Sequence, residues 1–342
     1  MSEIWRKNRV YAFFRPYVDA CTRSSYCRVS VDGTLPRDGA VIIAPNHTNT
    51  LMDALVILQS RRDRTVFASR ADIFRKPFIA RILRFLKMVP MARSRDNREE
   101  IAHNREVLLE VDDTLAHNVP FCIFAEGRHR PMHSLLPIRK GIARIAIDSA
   151  SKRQTYIVPA GIEYSDWFHY RSKMKLTYGT PINVNALLEE NKELTEREQY
   201  ALIQDELFKR LSSLIVYFPD DENYEAAVKE WEEARKRPAW LRVLRLLLAL
   251  VLLPLFVLSA VLVLPMWAGA EYLCAKKIKD RAFCNTARYG FKLIVTPLML
   301  IIWGVVLALL IGLLPWWLCL AIWCWVFHSY SFFYDWLNLL RN

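Results

Sequence analysis

Two stretches without a single charged residue, Leu246–Ala270 and Leu293–Phe327, constrain this 342-residue chain more than anything else in it. A soluble core able to bury so many apolar side chains would need a much larger protein around it, so both stretches read as membrane segments. The second, as one helix, would run about 52 Å at ~1.5 Å per residue, well beyond the ~30 Å hydrocarbon core of a bilayer. It must therefore bend, and Gly312 and Pro315 mark the place; Pro254 interrupts the first stretch in the same way. Arg235, Lys236, Arg237, Arg242 and Arg245 precede the first stretch, and Lys276, Lys277, Lys279, Arg281, Arg288 and Lys292 lie between the two. The C-terminal region is therefore expected to form membrane helices or hairpins; because cationic flanks stay on the cytoplasmic side, the hypothesis for the first stretch is a hairpin that enters and leaves on that face, with the same arrangement open to the second.

Upstream of Arg242, charged and apolar residues mix as in a soluble domain. Short runs rich in β-branched and aromatic residues, at 40–44, 65–68, 120–124, 156–161 and 174–178, alternate with helical stretches such as 101–117 and 138–150. That alternation predicts an α/β fold with a mostly parallel sheet flanked by helices. Ligands of such sheets sit beyond the carboxyl ends of the strands. At the amino terminus, Trp5, Tyr11, Phe13, Phe14, Tyr17 and Val18 are interleaved with Arg6, Lys7, Arg9 and Arg15. This fits an interfacial helix broken near Pro16, and equally a helix packed on the domain. The organisation expected is an amphipathic region over 1–30, the α/β domain over 31–193, a charged helical linker over 194–242 and a membrane-anchoring region over 243–342.

The formal net charge of +12 asks for an acidic partner. With apolar anchors present, anionic lipid headgroups and phosphorylated substrates are the economical choice, and no zinc-finger spacing, Gly-rich phosphate loop or basic DNA-binding helix points to nucleic acid. The seven cysteines form no Cys-x-x-Cys pair, which suits reduced thiols on the cytoplasmic face of a membrane. The charged first nine residues argue against a cleavable signal peptide.

Chemistry concentrates in two places. In Val41-Ile-Ile-Ala-Pro-Asn-His-Thr-Asn-Thr-Leu-Met-Asp53, an apolar strand runs into a turn holding His47, with Asp53 six residues on. Six helical residues is about 600° of rotation, so the pair cannot share a helix face: His47 belongs in the turn and Asp53 in the helix after it. An imidazole at a sheet edge with a carboxylate to orient it is the layout of a general base. In Phe121-Cys-Ile-Phe-Ala-Glu-Gly-Arg-His-Arg-Pro131, a strand ends in Glu126-Gly127, where glycine permits a tight turn, followed at once by Arg128 and Arg130. Guanidinium groups suit phosphate oxygens; Arg93, Arg139 and Lys140 could add charge to the same site.

In order, Asn46-His47-x5-Asp53, Val89-Pro-Met-Ala-Arg93, Phe124-Ala-Glu-Gly127 and Val158-Pro-Ala-Gly161 resemble the four successive motifs of the glycerolipid acyltransferases, which include lysophosphatidate and glycerol-3-phosphate acyltransferases. The resemblance covers roughly residues 38–185. The family's most frequent spacing is His-x4-Asp, and this chain has one residue more. That spacing, Asn49 after the histidine and Leu135-Leu-Pro-Ile-Arg-Lys-Gly141 are similar to the branch containing fungal-type glycerol-3-phosphate acyltransferases.

The resemblance implies that His47 is the base and Asp53 its partner, that Arg93, Glu126, Gly127 and Arg128 bind the glycerol phosphate, and that Pro159 shapes the pocket. Asn49, Arg130, Arg139 and Lys140 are further candidate contacts. The implied reaction moves an acyl chain from acyl-CoA or acyl-carrier protein to 1-acylglycerol-3-phosphate, or to glycerol-3-phosphate, with no cofactor and no metal. Backbone amides holding the oxyanion leave no trace in a sequence. A rival enzyme reading makes Cys122 a nucleophile, although a cysteine in an apolar strand is ordinarily inert. His129 and His133 stand among arginines with no evident orienting acid. Outside the enzymes, a membrane-anchored protein that merely binds anionic lipid would share the charge and the apolar segments but have no use for His47 and Asp53.

Overall fold

The computed structural model describes residues 3–61, 63–92, 98–236 and 238–341, with the side chains of 98–103 left aside. Among these residues the strands β1 (Arg28–Asp32), β2 (Ala40–Pro45), β3 (Val66–Arg70), β4 (Met88–Met91), β5 (Phe121–Cys122), β6 (Thr155–Tyr164), β7 (Lys173–Tyr178) and β8 (Ile182–Asn183) form one sheet. Its order is β1-β7-β6-β2-β5-β3-β4, with β8 on β6. Pairing is parallel except where β6 meets β7 and β8. The sheet is thus the mostly parallel one expected, and all six residues of β2 are buried at its centre.

The helices are α1 (Arg9–Arg23), α2 (Thr50–Gln59), α3 (Pro77–Phe85), α4 (Arg98–Ala116), α5 (Lys140–Ala150), α6 (Val184–Glu190), α7 (Glu196–Leu214), α8 (Tyr224–Ala234), α9 (Ala239–Val251), α10 (Leu253–Lys276), α11 (Cys284–Leu309) and α12 (Trp316–Leu339). Alternation along β2 divides them between two layers. Ala40, Ile42 and Ala44 join a core with Val111 of α4, Ile142 of α5 and Leu207 of α7. Val41 and Ile43 join the opposite core with Met52 and Val56 of α2, Cys21 of α1 and Tyr289 of α11.

The stretch expected as a charged linker contains α7, which packs on the sheet: Ile203, Leu207 and Leu211 are wholly buried. Truncating such a side chain to alanine costs about 2–5 kcal/mol, so this helix is part of the domain's core. The break expected near Pro16 is also absent. Proline removes one N–H, yet α1 continues through it, held by the neighbouring Arg15 guanidinium on the carbonyls of Leu58 and Arg61.

By length and composition Leu253–Lys276, Arg281–Leu309 and Trp316–Leu339 are long and apolar enough to cross a membrane. The second stretch breaks where expected, between Leu309 and Pro315, the latter capping α12. The first is not a hairpin. Only Leu252 separates α9 from α10, its φ and ψ stay right-handed helical, and its carbonyl accepts from Phe256 N–H, so the chain bends there without reversing. Pro254 lies in the first turn of α10, where a missing N–H costs nothing.

The bundle is bolted to the α/β domain. Tyr17 Oη donates to the Leu293 carbonyl at 2.9 Å, Arg171 pairs with Asp335, and Asn338 Nδ2 donates to the Tyr170 carbonyl.

Candidate active site

β2 ends at Pro45 and α2 begins at Thr50, so the intervening turn carries His47 beyond the carboxyl end of the central strand. Asn46 fixes its start, its side chain accepting from Ile162 N–H and donating to the Ile162 carbonyl on β6. The peptide of His47 is held on both sides: its N–H donates to Glu126 Oε1 at 2.8 Å, and its carbonyl accepts from Arg130 N–H at 2.9 Å. The ring stacks on Phe124, with centroids 4.2 Å apart.

Asp53 lies in the first turn of α2, fully buried, with Oδ2 2.8 Å from His47 Nδ1. The same oxygen accepts from Thr48 N–H and Asn49 N–H, the two amides that lead into the helix. Oδ1 accepts from Tyr164 Oη at 2.8 Å. With donors on both oxygens, the carboxylate is fixed as an acceptor, so the proton between the two groups sits on Nδ1. His47 Nε2 then carries the lone pair, on a side chain 17% exposed and with no partner for that nitrogen among the described residues. The bent backbone that the six-residue separation demands is present, and Thr50 takes a left-handed φ of 49° within it.

Glu126, expected at the substrate phosphate, is placed otherwise. It is 2% exposed and both oxygens are occupied, Oε1 by His47 N–H and Oε2 by Leu136 N–H at 2.8 Å. Burial pushes its carboxyl up from the ordinary value of 4.5, the two backbone amides opposing. An anion in such a position holds two loops together and would repel a phosphate. Gly127, with φ of 73°, makes the turn. Arg128, Arg139 and Lys140 stand exposed around it, at the Gly127 turn and at the amino end of α5; the Arg139 Cγ passes 3.4 Å from where a Cβ on Gly127 would lie. These cations are available to an anion, and the α5 dipole adds to their field. Arg130 is not free in the same way, being paired with Asp220 and bonded to Ser134.

Asn49 is 1% exposed with neither its side-chain oxygen nor its nitrogen bonded, and Thr48 Oγ1 beside it is likewise unpaired. Buried polar groups in that condition call for a partner. Pro159 is buried in β6 opposite Ala44, its ring against Gly179; its surroundings are strand packing. Arg93 lies outside the described residues. Cys122 is fully buried in β5, and burial pushes its thiol well above the ordinary range. His133 is packed against Trp167 and Trp231, and burial holds its ring below the usual 6.5.

Residues missed in the sequence complete the site. His129, seemingly without an acid, has Nε2 2.8 Å from Asp280 Oδ2 in the α10–α11 connection. Its ring stands edge-on to that of His47, centroids 5.7 Å apart, and to Phe283. No local spacing could signal a partner 151 residues away. Tyr164 had a signal: Val158, Ala160, Ile162 and Tyr164 alternate onto the α2 side of β6, and following the period past Gly161 reaches the tyrosine.

The fold and site define an α/β domain carrying a carboxylate-oriented histidine at its sheet edge, joined to an apolar helical bundle. Residues 27–163 match the Acyltransferase family model. The chain is 31% identical over 120 residues to glycerol-3-phosphate O-acyltransferase 2 of Saccharomyces cerevisiae, covering 34% of this chain and 16% of that protein. It is 30% identical over 117 residues to glycerol-3-phosphate O-acyltransferase 1 of the same yeast, covering 33% and 15%. The matches therefore span about a sixth of the length of those relatives. A crystal structure of the 1-acyl-sn-glycerophosphate (LPA) acyltransferase PlsC from Thermotoga maritima aligns with a TM-score of 0.44 at 17% identity, over 61% of this chain and 81% of that one.

Proposed function

We propose that the chain is a membrane-bound O-acyltransferase that moves a fatty acyl group from an acyl-CoA or acyl-carrier-protein thioester to a hydroxyl of a glycerol phosphate, with 1-acylglycerol-3-phosphate as acceptor and phosphatidate as product. The observation that carries the reading is the His47–Asp53 pair, which leaves Nε2 as a base beyond the sheet. In this mechanism Nε2 takes the proton of the acceptor hydroxyl while its oxygen attacks the thioester carbonyl. The C–S bond then breaks, and the departing thiolate takes the proton back from the imidazolium. Asp53 keeps the tautomer and stabilises the transient positive ring, a role worth orders of magnitude in related base catalysis. Exposed Arg128, Arg139 and Lys140 suit the acceptor phosphate, and the unbonded Asn49 amide suits a substrate polar group. Attachment of the apolar bundle beside the site favours an acceptor that itself resides in the bilayer.

A second reading takes glycerol-3-phosphate as acceptor. Its support is the named activity of the two yeast relatives and the longer His-to-Asp spacing. One experiment separates the readings: purified protein in detergent is given radiolabelled acyl-CoA or acyl-carrier protein with lysophosphatidate or glycerol-3-phosphate, beside His47→Ala. Label entering phosphatidate only with His47 intact supports the first acceptor; label entering lysophosphatidate supports the second. Transfer to neither by folded protein overturns both and favours a lipid-binding role.

A further inference from the structure

Helix α3 joins β3 to β4, a position in which a helix ordinarily lays its apolar side on the sheet. Here none of its residues is buried and none belongs to any apolar core of the molecule. Instead Phe78, Ile79, Ile82, Phe85 and Leu86 are exposed, Phe78 by 69%. Their spacing puts them on one face. Helix α1 does the same with Val10, Phe13 and Phe14, Phe13 being 77% exposed. The two helices adjoin, with Tyr11 edge-on to Phe85. Soluble surfaces rarely leave so much contiguous apolar area in water.

We propose that α3 and α1 together form a bilayer-embedded face, so that the α/β domain lies against the membrane through a second contact besides its C-terminal bundle. Two observations select lipid as the occupant. The stripe is continuous with the membrane helices, since one turn beyond Phe13 and Phe14 the same face of α1 presents Tyr17, which bonds the Leu293 carbonyl of α11. The charge is also complementary: α3 has no acidic residue, and Lys76, Arg81, Lys7 and Arg9 stand exposed beside the apolar side chains. Apolar side chains dipping below the headgroups with cations at phosphate level is how an interfacial helix binds an anionic surface. In sequence α3 is a nine-residue piece between strands, which is why only α1 read as interfacial. The proposal concerns placement and is independent of the reaction assigned above.

The test uses the full chain in nanodiscs of phosphatidylethanolamine and phosphatidylglycerol. A p-benzoylphenylalanine photo-crosslinker replaces Phe78 or Ile82, with Lys192 on the exposed end of the α/β domain as control. Phospholipid adducts by mass spectrometry at 78 and 82, absent at 192, are expected. Crosslinks to a second copy of the chain, or no lipid adduct at either position, overturn the proposal. Both sites are exposed on a helix outside the cores, so the substitutions leave folding intact; nitroxides at Phe78→Cys and Ile82→Cys give an independent reading, expected to relax more with oxygen than with a water-soluble nickel complex.

Discussion

Replacing Glu126 by glutamine separates a brace from a substrate ligand. The carboxylate accepts one backbone N–H on each oxygen, His47 on one and Leu136 on the other, both at 2.8 Å. Glutamine keeps one acceptor and turns an NH2 toward the second N–H, leaving one buried amide unpaired. That loss is worth about 1–3 kcal/mol, and at ~1.4 kcal/mol per tenfold a full expression in the transition state lowers kcat by about 5- to 150-fold. Because Glu126 ties the peptide that carries His47 to the loop at Leu136, losing either bond loosens that tie, and kcat should drop while the acceptor KM stays within about threefold. Initial rates across an acceptor titration, with thermal unfolding in detergent alongside, measure both. The pH dependence of stability has a determined sign. Burial raises the folded pKa of Glu126 above its ordinary 4.5, so between those two values the folded state binds more protons and stability falls as pH rises. The Glu126→Gln substitution removes that contribution and flattens the slope over the window. A raised KM with unchanged kcat would refute the brace and restore Glu126 to the substrate.

Tyr164→Phe removes one donor from buried Asp53 and should cost about 1 kcal/mol or more, read as a several-fold fall in kcat with the pH profile of activity displaced. Cys122→Ala should retain activity, and Cys122 in the folded parent should escape alkylation by thiol reagents, read by peptide mass spectrometry, because the thiol is buried and held protonated; an acyl-enzyme trapped on Cys122 by acid quench would contradict this. Asp280→Asn releases His129, whose ring borders that of His47, and should impair transfer more than His129→Gln impairs it in the Asp280→Asn background; equal, additive losses in the double-mutant cycle would show that the two do not act together.

What the sequence disclosed and withheld follows the range of the physics. The sheet was legible because β2 and β6 are continuous apolar runs rich in β-branched residues and β7 alternates with period two, and the turn at His47 because six residues cannot bring His47 and Asp53 together on a helix. Only Phe121 and Cys122 of the run at 120–124 pair as a strand, since the chain must already turn toward Glu126. Identity of residue types at 126–130 suggested a phosphate clamp, yet which of them face solvent depends on backbone amides from residue 47 and residue 136. Arg128 stays exposed, while Glu126 and Arg130 are drawn inward. Such assignments are decided by contacts far apart in the chain, as is Asp280 on His129, and no local pattern encodes them.

The additional residue between His47 and Asp53 links these ranges. It lengthens the turn, and Thr50 enters α2 at a φ of 49°, a left-handed conformation that a β-branched residue resists by about 1–3 kcal/mol. The strain is met from outside the domain: Thr50 Oγ1 lies 2.9 Å from Thr286 Oγ1 on α11, so the membrane bundle holds the turn that positions the base. Glycine at 50 would relieve the strain and lose the bond, two effects of similar size and opposite sign, and Thr50→Gly should leave the unfolding temperature nearly unchanged. Thr286→Ala loses the bond and keeps the strain, and should lower both the unfolding temperature and kcat. If Thr286→Ala proves neutral while Thr50→Gly stabilises strongly, the bundle is an anchor alone and the turn is set wholly within the α/β domain.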